Sequence, residues 1–191
     1  MLRSDTSDLT FLNTMLSKEI KQHIKRWNDK TTKVVVITDT VVARLYGEDF
    51  IACLCDNGVA AHLLSFPGDE EHKTRETKQA LEDRMSTEGC IRNTCVIGLG
   101  GGVVTDMAGF IAATYCRGVE YIAIPTTLLC MVDAALGGKN GVNTPYGKNF
   151  VGTFYDPFEV IYNLSFLETL DDAEMKNGYA VFEVESGTYQ F

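Results

Sequence analysis

The stretch Gly98-Leu99-Gly100-Gly101-Gly102 puts four glycines within five residues, between an apolar run (94–99) and a small-residue segment (104–114). Strand, glycines, then helix is the layout of an anion cradle. Bare backbone lets N–H groups approach a phosphate closely, and the helix N-terminus adds partial positive charge. A tight turn needing only positive φ would be served by one glycine, so four favour the cradle. The G-x-G-x-x-G dinucleotide fingerprint is not met, because Val103 stands in its third glycine place. The acidic residue about twenty positions on, Glu120, precedes an apolar run instead of ending one. An ordinary dehydrogenase mode is therefore disfavoured, and Asp39, at the end of the first apolar run, becomes the candidate for adenosine contact.

Other chemistry-bearing residues are sparse. The six cysteines (53, 55, 90, 95, 116 and 130) form no C-x-x-C pair, and they read as reduced, mostly buried thiols. His23, His62 and His72 lie far apart without metal-ligand spacing. A net charge of −9 argues against a polyanion binder such as a nucleic-acid coat. No run reaches the ~18 apolar residues that span a bilayer. Residues 1–10 hold Asp5 and Asp8 and no apolar signal-peptide core, so a cytoplasmic protein with no membrane partner is expected.

Positioning such residues requires elements, and the chain supplies them in alternation. Three- and four-residue apolar steps predict a helix over 8–27. Strands are expected at 33–39, 60–66, 94–99 and 121–124, the last stopped by Pro125. Helices are expected at 40–56, 74–88 (Thr77, Ala80, Leu81 and Met85 inward) and 104–114. The β-branched run KVVVITD suits a strand covered on both faces. The fold class is therefore α/β, a Rossmann-like, mostly parallel sheet with flanking helices. Residues 136–149, with four glycines, three asparagines, two lysines and a proline, read as a long functional loop. Short strands are expected at 150–155 and 159–162, and a helix capped at Ser165. The domains fall at 1–32 (helical lead-in), 33–164 (nucleotide-binding) and 165–191 (the start of a second domain).

Several segments together resemble the 3-dehydroquinate synthase family: PGDEEHKTRETK (67–78), GGGVVTDMAGFIAATYCRG (100–118), IPTTLLCMVDAALGGKNGVN (124–143), GKNFVGTFYDP (147–157) and FLETL (166–170). The resemblance implies a phosphorus–oxygen lyase of the shikimate pathway, serving aromatic amino acid biosynthesis. Such an enzyme turns 3-deoxy-D-arabino-heptulosonate 7-phosphate into 3-dehydroquinate and phosphate, using NAD and a divalent metal (zinc or cobalt). It assigns Asp39, Glu70 and Lys73 to the adenosine end of NAD, and Gly101, Gly102, Val103 and Asp106 to the pyrophosphate and nicotinamide side. Thr126, Thr127, Lys148, Phe166, Thr169 and Asn177 match further cofactor contacts. Arg117, Asp133, Lys139 and Asn149 match substrate-binding, catalytic positions, with Arg117 reaching the site of a paired subunit in a homodimer.

The sequence departs from the family pattern at the metal site. A glutamate is expected after Ala180, in a G-x-A-E-[VI]-[IF]-K segment, and Val181 stands there; Val184 replaces the lysine, and no later histidine follows. The metal ligands, with most of the helical metal-binding domain, are thus expected to be missing, and the chain to be a truncated, inactive form. Uncovered apolar surface is then expected at 126–135 and 150–162. Thr105, where the family commonly has glycine, is expected to keep a hydroxyl near the phosphate loop. Related sugar-phosphate cyclases (2-epi-5-epi-valiolone or 2-deoxy-scyllo-inosose synthases) and a non-catalytic nucleotide-binding protein stay open as alternatives.

Overall fold

The structure, a computed structural model, describes residues 18–30 and 32–187. Helix α1 (Lys18–Lys30) leads into strand β1 (Val34–Asp39) and a helical segment α2 (residues 40–56). Within α2, Ala43–Gly47 forms a π-helical turn. Then come β2 (Ala61–Phe66), α3 (Arg75–Thr87), β3 (Cys95–Gly100), α4 (Gly102–Thr114) and β4 (Glu120–Pro125). Past a π-helical turn (Cys130–Ala134) lie β5 (Lys139–Thr144), β6 (Gly147–Phe154) and β7 (Glu159–Val160). A 3-10 turn (Leu164–Thr169) and helix α5 (Asp172–Gly187) follow. Of the helix expected over 8–27, residues 8–17 lie outside the described residues.

Five strands form one sheet in the order β2-β1-β3-β4-β7, and every pairing in it is parallel. Side chains alternate across a strand, so the run Val34–Ile37 feeds two cores. Val34 and Val36 pack with Trp27 of α1 and Phe50 of α2 on one face. Val35 and Ile37 pack with Met85 of α3 and Met107 of α4 on the other. Coverage on both faces explains why these strands read as unbroken apolar runs. The order in which strands are added reverses at β1, with β2 on one side and β3 on the other, and crevices at the carboxyl ends of strands at such a point are where open α/β sheets bind ligands.

Four sequence expectations are corrected. Residues 139–149, expected within a loop, belong instead to an antiparallel hairpin, β5 against β6, whose second strand runs on into the strand expected from 150. Its glycines are packing devices: a Cβ on Gly141 would stand 2.9 Å from the Val151 carbonyl oxygen. In α3, Ala80 is exposed while Leu81 and Met85 are buried. The turn at Leu164–Thr169 is capped by Asn163, whose side chain accepts the Ser165 N–H at 3.1 Å, and not by Ser165. Exposed large apolar residues include Phe150, Phe154, Phe158 and Tyr162, as expected for 150–162, but none falls in 126–135.

Candidate functional site

Each carboxyl end of the sheet delivers one part of a site. Asp39 closes β1, and its carboxylate accepts the Val41 and Val42 N–H groups, both at 2.8 Å, capping α2. The loop after β2 crosses close over it, so close that a Cβ on Gly68 would lie 2.5 Å from the Asp39 Cβ. That loop carries Glu70 and Lys73. After β3, Gly101 caps α4 in an extended conformation. After β4, Thr126 donates its N–H to the Gly100 carbonyl (3.0 Å), and the Thr127 hydroxyl accepts the Cys130 N–H (3.2 Å).

The glycine cluster divides into two jobs, and none of its members has positive φ. Gly98 and Gly100 let β3 and α4 touch: a Cβ on them would lie 2.9 Å from the Ala108 Cβ and 2.7 Å from the Val104 Cβ. Gly102 is less confined and borders the cleft: a Cβ there would meet only the Ala134 Cβ, at an ordinary 3.5 Å. The first N–H groups of a helix have no partner within it, so the opening beside Gly102 exposes donors to a ligand. The Thr105 hydroxyl stays beside this loop, as expected. It is buried and donates to the Gly101 and Gly102 carbonyls at 3.3 and 3.1 Å.

These parts enclose a cleft of about 950 Å³. Every cofactor-side residue named from the sequence lines it except Lys148: Asp39, Glu70, Lys73, Gly101, Gly102, Val103, Asp106, Thr126, Thr127, Phe166, Thr169 and Asn177. Lys148 stands exposed outside it, its ammonium 3.8 Å from the Glu70 carboxylate. Phe166 is also core: it is buried, edge-on to Tyr46 at 5.0 Å, and the Tyr46 hydroxyl bonds to Thr169. Tyr46, which the sequence placed only within the helix expected at 40–56, thus lines the cleft too.

A second cavity of about 350 Å³ adjoins the first, with Asp106 and Asn149 lining both. Lys139, Phe150 and Phe154 of the hairpin form its other walls. At the junction Lys73, 2% exposed, ion-pairs with Asp106 and donates to the Asn149 side-chain oxygen at 2.7 Å. Lys73 thus turns toward the group matched to the nicotinamide and substrate side. Burial pushes the Asp106 carboxyl above its ordinary value; Lys73 pulls the other way, and Glu70 and Asp133 add to the rise. Burial also pushes the Cys130 thiol, beneath Thr105, up to about 12, which makes it inert at neutral pH.

Two residues matched to substrate contacts line neither cavity. Asp133 is exposed on the π-helical turn, near enough to act on Asp106 electrostatically. Arg117 is exposed beyond the far end of α4, whose 13 residues span about 20 Å. Arg117 and Asn149 nonetheless share an unusual feature, positive φ of 68° and 56° in non-glycine residues. Such conformations persist only where the surroundings hold them, and they concentrate at functional sites.

Among the described residues, no group of three or more His, Cys, Asp or Glu is placed to hold a metal ion. His23 bonds Glu159 at 2.6 Å, His62 faces Glu88 at 3.2 Å, and His72 faces Asp69 at 2.7 Å, in three separate places.

Comparison with known proteins agrees with this geometry. The family model described as 3-dehydroquinate synthase N-terminal matches residues 63–177. A 3-dehydroquinate synthase of Nitrosospira multiformis is 47% identical over 148 residues, covering 78% of this chain and 40% of the relative. Among solved structures, a 2-deoxy-scyllo-inosose synthase complexed with carbaglucose-6-phosphate, NAD+ and Co2+ superposes with a TM-score of 0.73 at 31% identity. That overlap covers 78% of this chain and 40% of the other. A 2-epi-5-epi-valiolone synthase from Streptomyces hygroscopicus, with NAD+ and Zn2+ bound, superposes at 0.72 with 36% identity, covering 79% of this chain and 43% of the other.

Proposed function

The chain belongs to the 3-dehydroquinate synthase family, and on that premise we propose that it forms the NAD-binding part of a 3-dehydroquinate synthase. The activity is conversion of 3-deoxy-D-arabino-heptulosonate 7-phosphate to 3-dehydroquinate and phosphate. The chain spans about two fifths of the length of the curated bacterial relative it matches, so the activity belongs to the whole enzyme. A related cyclase is the second reading, supported by solved neighbours at 31–36% identity. The 47% identity to the Nitrosospira enzyme favours the first.

The observation that carries the proposal is the cleft at the β1/β3 switch point, where a glycine-opened helix N-terminus faces Asp39. The residues fit NAD. The α4 N-terminus receives the pyrophosphate, and Asp39 and Glu70 accept hydroxyls at the adenosine end. Lys73 fixes Asp106 and Asn149 where the two cavities meet. NAD, when bound, would supply reversible acceptance of hydride from the carbon bearing a ring hydroxyl of the substrate. Lys139 and Asn149 hold the sugar phosphate in the adjoining cavity, and Asp133 and Arg117 complete its contacts, Arg117 from a paired copy. Among the described residues, the donor set does not fit a metal ion. Residues 33–164 make up the nucleotide-binding domain, with 1–32 as lead-in and 165–191 opening a second. The six cysteines are free thiols, which suits the cytoplasm.

Calorimetric titration of the full chain tests the reading. An acid at the end of β1 recognises ribose hydroxyls and repels a 2′-phosphate. NAD is therefore expected to bind at least about tenfold tighter than NADP, with Asp39→Ala narrowing the gap. Absence of NAD binding, or a preference for NADP, would refute it.

A further inference from the structure

Asn143 does not line either cavity, yet it bonds to three residues that do. Its backbone N–H donates to the Lys73 carbonyl at 2.8 Å. Its side-chain N–H group donates to the Glu70 carbonyl at 3.0 Å and to the Glu70 carboxylate at 2.8 Å. Its side-chain oxygen accepts the Asn149 N–H at 3.0 Å. One residue thus joins the loop after β2 to the hairpin.

The local backbone explains the placement. The β5–β6 register is regular from Lys139 to Val142 and shifts between Val142 and Thr144. Such irregularities bend a strand and re-aim side chains beside functional sites. At the shift the Asn143 amide takes over part of the ladder's task and holds the backbone of Asn149. That residue keeps a left-handed φ of 56°, with its side chain directed to Lys73.

We infer that Asn143 is a positioning residue that couples the cofactor cleft, through Glu70, to the substrate cavity, through Asn149. The inference rests on the reading of the cleft as an NAD site. It also fixes the orientation of the Asn143 amide: the oxygen must face the Asn149 N–H, and the NH2 must face the Glu70 carboxylate.

Two substitutions separate its halves. Asn143→Asp keeps an acceptor for Asn149 but sets a carboxylate against Glu70. Asn143→Ala removes both links. Near pH 8, NAD titration of the full chain should show Asn143→Asp binding about tenfold more weakly than wild type. Near pH 5 the deficit should shrink to about twofold, because a proton shared between the two carboxyls restores a donor. Asn143→Ala should be weaker by a similar factor at both pH values, a difference that general loosening of the hairpin does not produce. Equal pH profiles for the two variants, or wild-type affinity in both, would overturn the inference. Amide hydrogen exchange in the ligand-free chain separates the clamp from the cleft reading. The Asn149 amide should stay protected in wild type and Asn143→Asp and exchange faster in Asn143→Ala. Equal protection in all three overturns the clamp even if NAD binds nowhere.

Discussion

Lys73 carries an ammonium into a site where only 2% of the residue meets solvent, and its ion-pair partner Asp106 is itself largely buried. Attraction between such groups competes with the cost of removing both from water, and the cost often wins. Here burial outweighs Lys73 at the Asp106 carboxyl, whose pKa is raised from 3.8. The sign follows. A carboxyl raised by folding contributes stability that is full below its ordinary value of 3.8 and is lost as pH rises through the raised value. Asp106→Asn is always neutral and can still accept from Lys73. It should therefore raise the denaturation midpoint at neutral pH and match wild type near pH 3, while weakening NAD binding. A lower midpoint at neutral pH would show that the ion pair is worth more than its desolvation cost. The family resemblance placed Lys73 among the cofactor contacts. It could not show Lys73 turned toward Asp106 and Asn149, because that pairing joins positions 33 and 76 residues apart.

At the scale of elements, α4 depends on two glycines for opposite reasons. A methyl on Gly100 would meet the stiff, buried Val104 at 2.7 Å, so Gly100→Ala should cost about 1–3 kcal/mol of stability by overpacking. A methyl on Gly102 would meet the Ala134 Cβ at an ordinary 3.5 Å, so Gly102→Ala should change stability by less than about 1 kcal/mol. On the proposed reading that same methyl stands where the pyrophosphate approaches, so NAD affinity should fall about tenfold or more. Urea denaturation and NAD titration of both variants check the split. Loss of stability in Gly102→Ala, or undiminished binding, would count against the cradle. The strands and α3 were legible because burial on both faces gives apolar runs and burial on one face gives a helical period. The β5–β6 hairpin was legible only at 150–155; β5 and the start of β6 are mostly Gly, Asn, Lys and Thr, and the strands meet backbone on backbone, as between Gly141 and Val151. Asn143 was invisible for the same reason, since its partners are a backbone N–H, a carbonyl and a carboxylate that no spacing rule connects.

Over the whole molecule, apolar surface and charge pull against each other. The hairpin and the segment after it expose Phe150 (70%) and Phe154 (82%), with Tyr146 and Phe158 nearby in sequence. Covering four such rings is worth about 6–12 kcal/mol at about 1.5–3 kcal/mol each. That is comparable with the roughly 4–15 kcal/mol that association costs in lost freedom. A net charge of −9 adds repulsion between copies. The balance implies weak self-association that grows with protein concentration and with salt, because screening removes the repulsion and leaves the apolar term. Sedimentation velocity of the full chain should show this. Phe150→Ser combined with Phe154→Ser should abolish most of it without unfolding the chain, since both rings are exposed. Neither ring lines the larger cleft, so the double variant should bind NAD as wild type does, which separates lost association from lost fold. Association that persists unchanged in the double variant, or that salt weakens, would assign the contact to polar groups elsewhere on the surface.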